Sequence, residues 1–356
     1  MDEYELVDLR SDTLTKPDPA MRRAMADAEV GDDVLGEDPT VRELEELAAE
    51  LLGKEASLFV PSGTMGNEIA LHLHARPGTE VICEATSHVY AYEMAGMAAL
   101  SGLLARPVRA DRGMLTPELV EAAIAPNVSY QAPSGLLSLE NTSNIAGGCV
   151  CAPQVQEATA AVARRHGLPV HLDGARIFNA AITLGVEPAA LAESVDSVMF
   201  CLSKGLGAPV GSLLCGTKSF IREARRVRKM FGGGMRQVGV LAAAGLMALR
   251  DGPGRLHEDH ANAADLGRVL AQLPHVSLLA PVESNIVIVD VGAETPDDRA
   301  GGSVAAKFTD RLHEIGVLAL PIGPSRVRFV THRDVDGDAF MAALERLEAV
   351  GDGFWT

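Results

Sequence analysis

Aromatic residues are scarce in this chain. Phe, Tyr and Trp supply 4% of its 356 residues, with a single Trp, while the hydrophobic share is 47%. The core is therefore expected to be aliphatic, and the length is enough to bury a substantial one. Basic residues are also in deficit, 31 Lys and Arg against 48 Asp and Glu, for a formal net charge of −17. That balance argues against nucleic acid and anionic membrane surfaces as partners for the chain as a whole. It does not exclude a small phosphorylated ligand, which answers to local N–H groups and nearby Arg. Long apolar runs are missing too. The longest, 238–249, covers about twelve positions and reads as a buried helix rather than a membrane span. The amino-terminal MDEYELVDLRSD is acidic and lacks the apolar stretch of a targeting signal. Five scattered cysteines fit reduced thiols in a cytoplasmic setting. Cys149-Val150-Cys151 lacks a second ligand pair at zinc spacing, so no metal site is expected.

What is present is alternation. Between residues 57 and 215, short apolar runs alternate with helical stretches. The runs are Ser57-Leu-Phe-Val60, Glu80-Val-Ile-Cys83, Leu136-Leu-Ser-Leu139, Val170-His-Leu-Asp173 and Ser197-Val-Met-Phe-Cys201. Helices are expected at about 64–75, 90–100 and 153–166. This order predicts a mostly parallel sheet covered by helices on both faces. Asp38-Pro39 opens a helix ending before Gly53, with Asp38 as cap and Pro39 where no N–H is needed. After Asp251-Gly-Pro-Gly254 come a helix over about 256–273, a strand over 285–291, a helix over 303–315, a strand over 326–330 and a last helix over 335–350. These form a smaller α+β unit. Residues 293–299 and 301–302 read as a flexible loop.

Three features fall in the right order for a cofactor carrying a phosphate, a pyridine nitrogen and an aldehyde. Pro61-Ser62-Gly63-Thr64-Met65-Gly66-Asn67 is a small-residue turn from strand to helix. Gly63 lets a ligand approach the backbone, Thr64 can donate, and the helix start offers N–H groups to a phosphate. Alone, it reads first as an ordinary capped turn. Asp173 ends a buried parallel strand, on the edge where such sheets bind ligands. Paired with a pyridine nitrogen it would keep the ring protonated and electron-accepting. Arg176 follows, able to fork onto a substrate carboxylate or the ring's phenolic oxygen; a structural Asp–Arg pair fits the same residues. Lys204, in Ser203-Lys-Gly-Leu-Gly207, leaves the next strand end with the freedom a Schiff-base lysine needs, though exposed turn lysines are far commoner. The glycines after it do not make a dinucleotide fingerprint, because their spacing is wrong and Pro209 sits where a helix should begin.

With Asp8-Leu-Arg-Ser-Asp-Thr-Leu-Thr15, Gly31-Asp-Asp33, Gly36-Glu-Asp-Pro-Thr40, Leu139-Glu-Asn-Thr142 and Gly232-Gly-Gly-Met-Arg-Gln237, these motifs resemble the low-specificity L-threonine aldolases over nearly the whole chain. The resemblance implies an aspartate-aminotransferase-like fold with pyridoxal 5'-phosphate as cofactor. Residues 1–15 would be an arm contributing to the active site, 16–250 the large cofactor-binding domain and 251–356 the small one. Lys204 would carry the cofactor and Asp173 pair with its pyridinium. Ser62, Gly63 and Thr64 would hold the phosphate, and Arg176 and Ser203 would also contact the cofactor. His88 would stack on the ring and serve as first choice of base. Ser11, Arg176 and Arg328 would bind the substrate carboxylate. Arg236 would reach the phosphate of a neighbouring subunit's cofactor, in a homo-oligomer with sites at the dimer interface, a tetramer built as a dimer of dimers. Two positions depart from the pattern: Tyr130 stands where relatives carry a His that contacts the substrate hydroxyl, and Leu35 where they carry Tyr. The implied reaction cleaves L-threonine or L-allo-threonine between Cα and Cβ to glycine and an aldehyde, a step of threonine breakdown and glycine formation. β-Elimination and transamination are the alternatives on the same scaffold. A non-catalytic carrier would leave Ser11, Arg176 and Arg328 without a task.

Overall fold

The computed structural model describes residues 6–126, 128–292, 303–335 and 337–350. The loop expected at 293–299 and 301–302 lies outside them. The chain divides into two compact units. One comprises the described residues of Met1–Thr15, Asn144–Cys149 and Arg255–Thr356; the other is Lys16–Ser143 with Val150–Gly254.

The second unit is built on seven strands in the order Ala56–Val60, Ser212–Gly216, Ser197–Cys201, Val170–Asp173, Ser134–Glu140, Glu80–Glu84, Leu104–Val108. Ser212–Gly216 is antiparallel to both of its neighbours and every other pairing is parallel. The sheet is thus mixed but mostly parallel, as the alternation predicted. Its central strands are buried on both faces, which is why they read as unbroken apolar runs. The helix Pro39–Leu51 starts where expected. Asp38 Oδ1 accepts from the Val41 N–H at 3.0 Å, a cap contributing about 1 kcal/mol. The run 238–249 falls in the largely buried helix Gly239–Asp251, with Val238 as the residue just before it. Among the described residues no helix is long and apolar enough to cross a membrane.

Two elements differ from expectation. The single helix expected over 90–100 is broken into His88–Ala91 and Gly96–Ser101. Met94 and Ala95 between them take left-handed φ of 55° and 57°. Neither is the Gly or Asn that usually marks such a turn, so helical periodicity runs through the break unseen. The strand Leu104–Val108 was not expected at all, because it is a half-exposed edge containing Arg106 and Pro107.

The first unit packs the helices Leu256–Leu270, Val304–Glu314 and Gly337–Val350 with a four-stranded sheet. Its order is Leu320–Pro321, Arg326–Val330, Ile286–Val291, Val276–Leu278, antiparallel throughout. Phe308, Phe329 and Phe340 fill its core together with aliphatic side chains. The arm is stitched into this unit. Val7–Asp8 pairs in parallel with Val317–Leu318, and the Val330 N–H donates to Leu9 O at 2.8 Å.

Candidate active site

The parallel strands deliver two of the expected groups to one edge of the sheet. Asp173 is the last residue of Val170–Asp173 and is 2% exposed. Lys204 follows Ser197–Cys201 by three positions and is partly buried, beside partly buried Ser203. His88 joins them from the N-terminus of the short helix His88–Ala91. Its backbone N–H donates to Oε2 of Glu140, the acid of the Leu-Glu-Asn-Thr motif, at 2.6 Å. The charges of Asp173 and Lys204 both act on the His88 imidazole, which places the three in one electrostatic neighbourhood.

Asp173 is held as an acceptor. Oδ1 accepts from the Ala175 N–H at 3.0 Å and Oδ2 from Asn67 Nδ2 at 2.8 Å. The same Asn67 amide donates to Glu93 Oε1 at 2.8 Å, and Glu93 Oε1 lies 2.8 Å from His88 Nδ1. Because Nδ2 is spent on two carboxylates, Asn67 Oδ1 must accept from His171 Nε2, 3.0 Å away. His171 Nδ1, at 2.8 Å, then takes a hydrogen bond from the Ser197 hydroxyl. Burial opposes a charge on His88, yet the hydrogen bond to Glu93 and the charges of Asp173 and Glu93 hold its pKa above the ordinary value. One donor atom each of His88, Glu93 and Asp173 lies within 4.8 Å of the others, a grouping able to surround a cation by count. Here the Asn67 amide already bridges the two carboxylates.

The turn after Ala56–Val60 opens the helix Gly63–His74. Ser62 caps it, its Oγ accepting from the Met65 N–H at 3.2 Å. The cap reading of Ser62 is thus realised. The Gly63 and Thr64 N–H groups sit in the first turn, where a helix has no internal acceptor for them. Arg176 is buried at the start of the helix Ile177–Leu184, three residues past Asp173. Arg236 is different: its side chain is 59% exposed and Nη1 donates to Asp32 Oδ2 at 2.9 Å.

Ser11 and Arg328 come together in the other unit. Arg328 is buried, donates from Nη1 to Asn144 Oδ1 at 2.9 Å and from Nη2 to the carbonyl of Arg10 at 3.3 Å, next to Ser11. Arg326, on the same strand, is exposed and faces Asp290 instead. Ser11 is partly buried and its Oγ accepts from the Thr13 N–H at 3.2 Å. Tyr130 is 82% exposed, and no hydrogen bond among the described residues joins it to Asp173, His88 or Lys204.

Sequence reasoning assigned no role to Asn67, Glu93 or Glu68. Asn67 stood inside a quoted motif, but only the fold turns its amide toward two acids. Glu93 was hidden in the helix expected over 90–100.

The acceptor-only carboxylate, the strand-end lysine, the open helix turn and the flanking histidine fit a phosphorylated pyridine aldehyde. The fold is the aspartate-aminotransferase-like one: the chain superposes on a Leishmania major threonine aldolase with a TM-score of 0.83, covering 97% of this chain and 99% of that one at 21% identity. The beta-eliminating lyase family matches residues 8–294, and the chain belongs to it. The chain is 45% identical over 334 residues to low-specificity L-threonine aldolase 1 of Arabidopsis thaliana, covering 92% of each. It is 43% identical over 333 residues to the low specificity L-threonine aldolase of Escherichia coli strain K12, covering 93% of this chain and 95% of that protein.

Proposed function

We propose that the protein is a pyridoxal-phosphate-dependent aldehyde lyase that cleaves L-threonine, L-allo-threonine and related β-hydroxy-α-amino acids to glycine and an aldehyde. One observation carries the reading. Asp173, Lys204 and His88 share one electrostatic neighbourhood in a chain more than 40% identical to proteins bearing that name. Pyridoxal phosphate, when bound, supplies a sink for the electron pair left on Cα as the Cα–Cβ bond breaks.

The side chains around it have separate tasks. Lys204 holds the aldehyde carbon. Asp173, kept an acceptor by Asn67 and the Ala175 N–H, accepts the pyridinium N–H. Ser62, Gly63 and Thr64 would take the phosphate, with Ser203 and Arg176 also at the cofactor. Arg176, Ser11 and Arg328 are the residues assigned to the substrate carboxylate. His88 would lie against the bound ring and would be the group to take the β-hydroxyl proton at Nε2. Arg236 serves a neighbouring copy's phosphate in a homo-oligomer, a role supported by its exposed guanidinium. All five cysteines are free, which fits a reducing cytoplasm. In that setting the reaction would contribute to threonine breakdown and glycine formation.

An aldehyde-release assay on both threonine diastereomers tests the reading. Glycine and acetaldehyde should form without ammonia and without an added keto acid, and Lys204→Ala should abolish both turnover and the visible absorption of the bound cofactor. Ammonia release would move the assignment to β-elimination, and a keto-acid requirement to transamination. With a phenol rather than an imidazole at position 130, the two diastereomers should differ by about tenfold at most, the value of one hydrogen bond. An unchanged ratio in Tyr130→Phe would remove Tyr130 from the site.

A further inference from the structure

We propose that Glu68 is a positioning residue for His88. In this assignment it works as a neutral acid whose O–H donates to Glu93, so that Glu93 stays ionised and fixes the His88 proton on Nδ1, leaving the Nε2 lone pair open. The proposal rests on the reading of His88 as the base.

Glu68 lies on the helix Gly63–His74, one residue past Asn67, and is 2% exposed. Neither of its carboxyl oxygens has a hydrogen-bond partner among the described residues by donor geometry, and the same holds for Oε2 of Glu93. The two carboxyl groups are within hydrogen-bonding range of each other. The space for this contact is made by Gly96, where any Cβ would collide with Glu68 Oε1. Gly96 ends the left-handed turn through Met94 and Ala95 that begins at Glu93, and its N–H donates to Glu93 O at 2.8 Å. The break in the expected helix therefore does two things: it turns Glu93 inward and clears room for a second acid beside it.

Two carboxylates in contact, both out of water, do not both ionise. The donors decide which one keeps the proton. Glu93 has Asn67 Nδ2 and His88 Nδ1, each at 2.8 Å on Oε1. Among the described residues no side-chain N–H or hydroxyl donates to Glu68, and the backbone of Met97 is the weakest of the influences on it. Burial first, then the charge and hydrogen bond of Glu93, raise the Glu68 pKa to about 8. Burial and the charge of Asp173 act on Glu93 in the same direction, while His88 and Asn67 oppose them. The proton therefore sits on Glu68, and Glu93 Oε2, which has no other donor among the described residues, gains one. With both oxygens of Glu93 engaged, Oε1 is left to accept from His88 Nδ1–H, and the imidazole is held in the tautomer a base needs.

The test compares Glu68→Gln, which keeps a donor but cannot ionise, with Glu68→Leu, which has neither property. Infrared difference spectra of the holoenzyme at neutral pH, carboxyl carbons isotopically labelled, should show a buried protonated carboxyl in the wild type that is missing in E68Q. Nitrogen-15 spectra of labelled His88 should show the Nδ1–H tautomer in the wild type and E68Q, and a mixture in E68L. In turnover, E68L should lose kcat by about 10- to 100-fold, with KM and cofactor retention within about threefold, and E68Q should recover most of that loss. Wild-type kcat should fall as pH rises through about 8, where Glu68 loses its proton, and E68Q should lack that limb. A wild type without the protonated carboxyl, or a folded E68L with the His88 tautomer unchanged, overturns the proposal. If E68L does not fold, the wild-type and E68Q spectra still decide. Failure of the aldolase reading would show as absent aldehyde and leave both spectra standing.

Discussion

Asp33 and Arg228, 195 positions apart in the sequence, form an ion pair of 2.5 Å in which both side chains are almost wholly buried. Arg228 also donates from Nη1 to the carbonyl of Phe59 at 2.6 Å. The pair thereby ties the Gly31-Asp-Asp33 segment and the helix Lys218–Met230 to the strand that leads into Ser62 and Gly63. Asp33→Ala would leave a buried guanidinium without its counter-charge, at a cost of about 3–5 kcal/mol. Thermal unfolding should show a marked drop for Asp33→Ala and partial recovery in the double variant with Arg228→Met, which removes the stranded charge.

Asp173→Asn keeps the shape of the site but offers the pyridine nitrogen no anionic partner. Turnover should fall by about 10²-fold or more while the cofactor still binds, because Lys204 and the helix turn at Gly63 are untouched. Single-turnover kinetics on the loaded variant check this. A variant with undiminished kcat would show that ring protonation does not depend on Asp173.

His171 is fully buried, and burial, helped by nearby His74, pushes its pKa down to about 3. Burial pushes His74 down to about 4. Unfolded, both titrate near ~6.5. Between those limits the unfolded chain binds protons that the native state refuses, so stability should fall as pH drops below about 6.5, by on the order of 3 kcal/mol at pH ~4 from His171. Urea midpoints across that range measure the slope. His171→Gln should be less stable at neutral pH, since it disturbs the Asn67 and Ser197 hydrogen bonds, but should show a flatter acid slope. An unchanged slope would assign the acid sensitivity to other groups.

Arg236 is positioned by Asp32 yet exposed, as suits a residue that serves a neighbouring copy. Arg236→Ala should weaken cofactor retention about 10- to 100-fold, the value of charge-assisted hydrogen bonds to a phosphate. Mixed with Lys204→Ala, it should regain activity in hybrids, since one site per pair would then hold both Lys204 and Arg236. Proven hybrids without activity would confine each site to a single chain.

The sheet was legible because buried parallel strands read as apolar runs, and the positions of Asp173 and Lys204 at or just past strand ends followed from it. That rule brought Asp173 and Lys204 forward as candidates, and only their order and the resemblance chose between the functional and the ordinary reading of each. The arrangement around them was not legible. Nothing local marks Glu68 as buried, for its place is made by the missing side chain of Gly96, 28 positions later. Met94 and Ala95 carry no turn signature, so the inward path of Glu93 was lost inside an apparent helix. His88 was found only through the resemblance, and its partner Glu93, five residues on, was missed. Tyr130, singled out because relatives carry a His at that position, is exposed.

The strand Leu104–Val108, overlooked for its weak pattern, closes the open side of the sheet. Strands at such an edge can recruit a foreign chain through their unpaired backbone groups. Leu104 is exposed and would favour that, but Pro107 offers no N–H to a newcomer, and Arg106 is tied back to Glu80 on the adjacent strand, Nη2 donating to Oε1 at 2.7 Å. A template with a missing donor and an anchored charge propagates poorly. The features that made this segment hard to read as a strand are those that keep a growing or partly folded chain from adding to the sheet of its neighbour, so Pro107→Val together with Arg106→Val should raise aggregation during refolding.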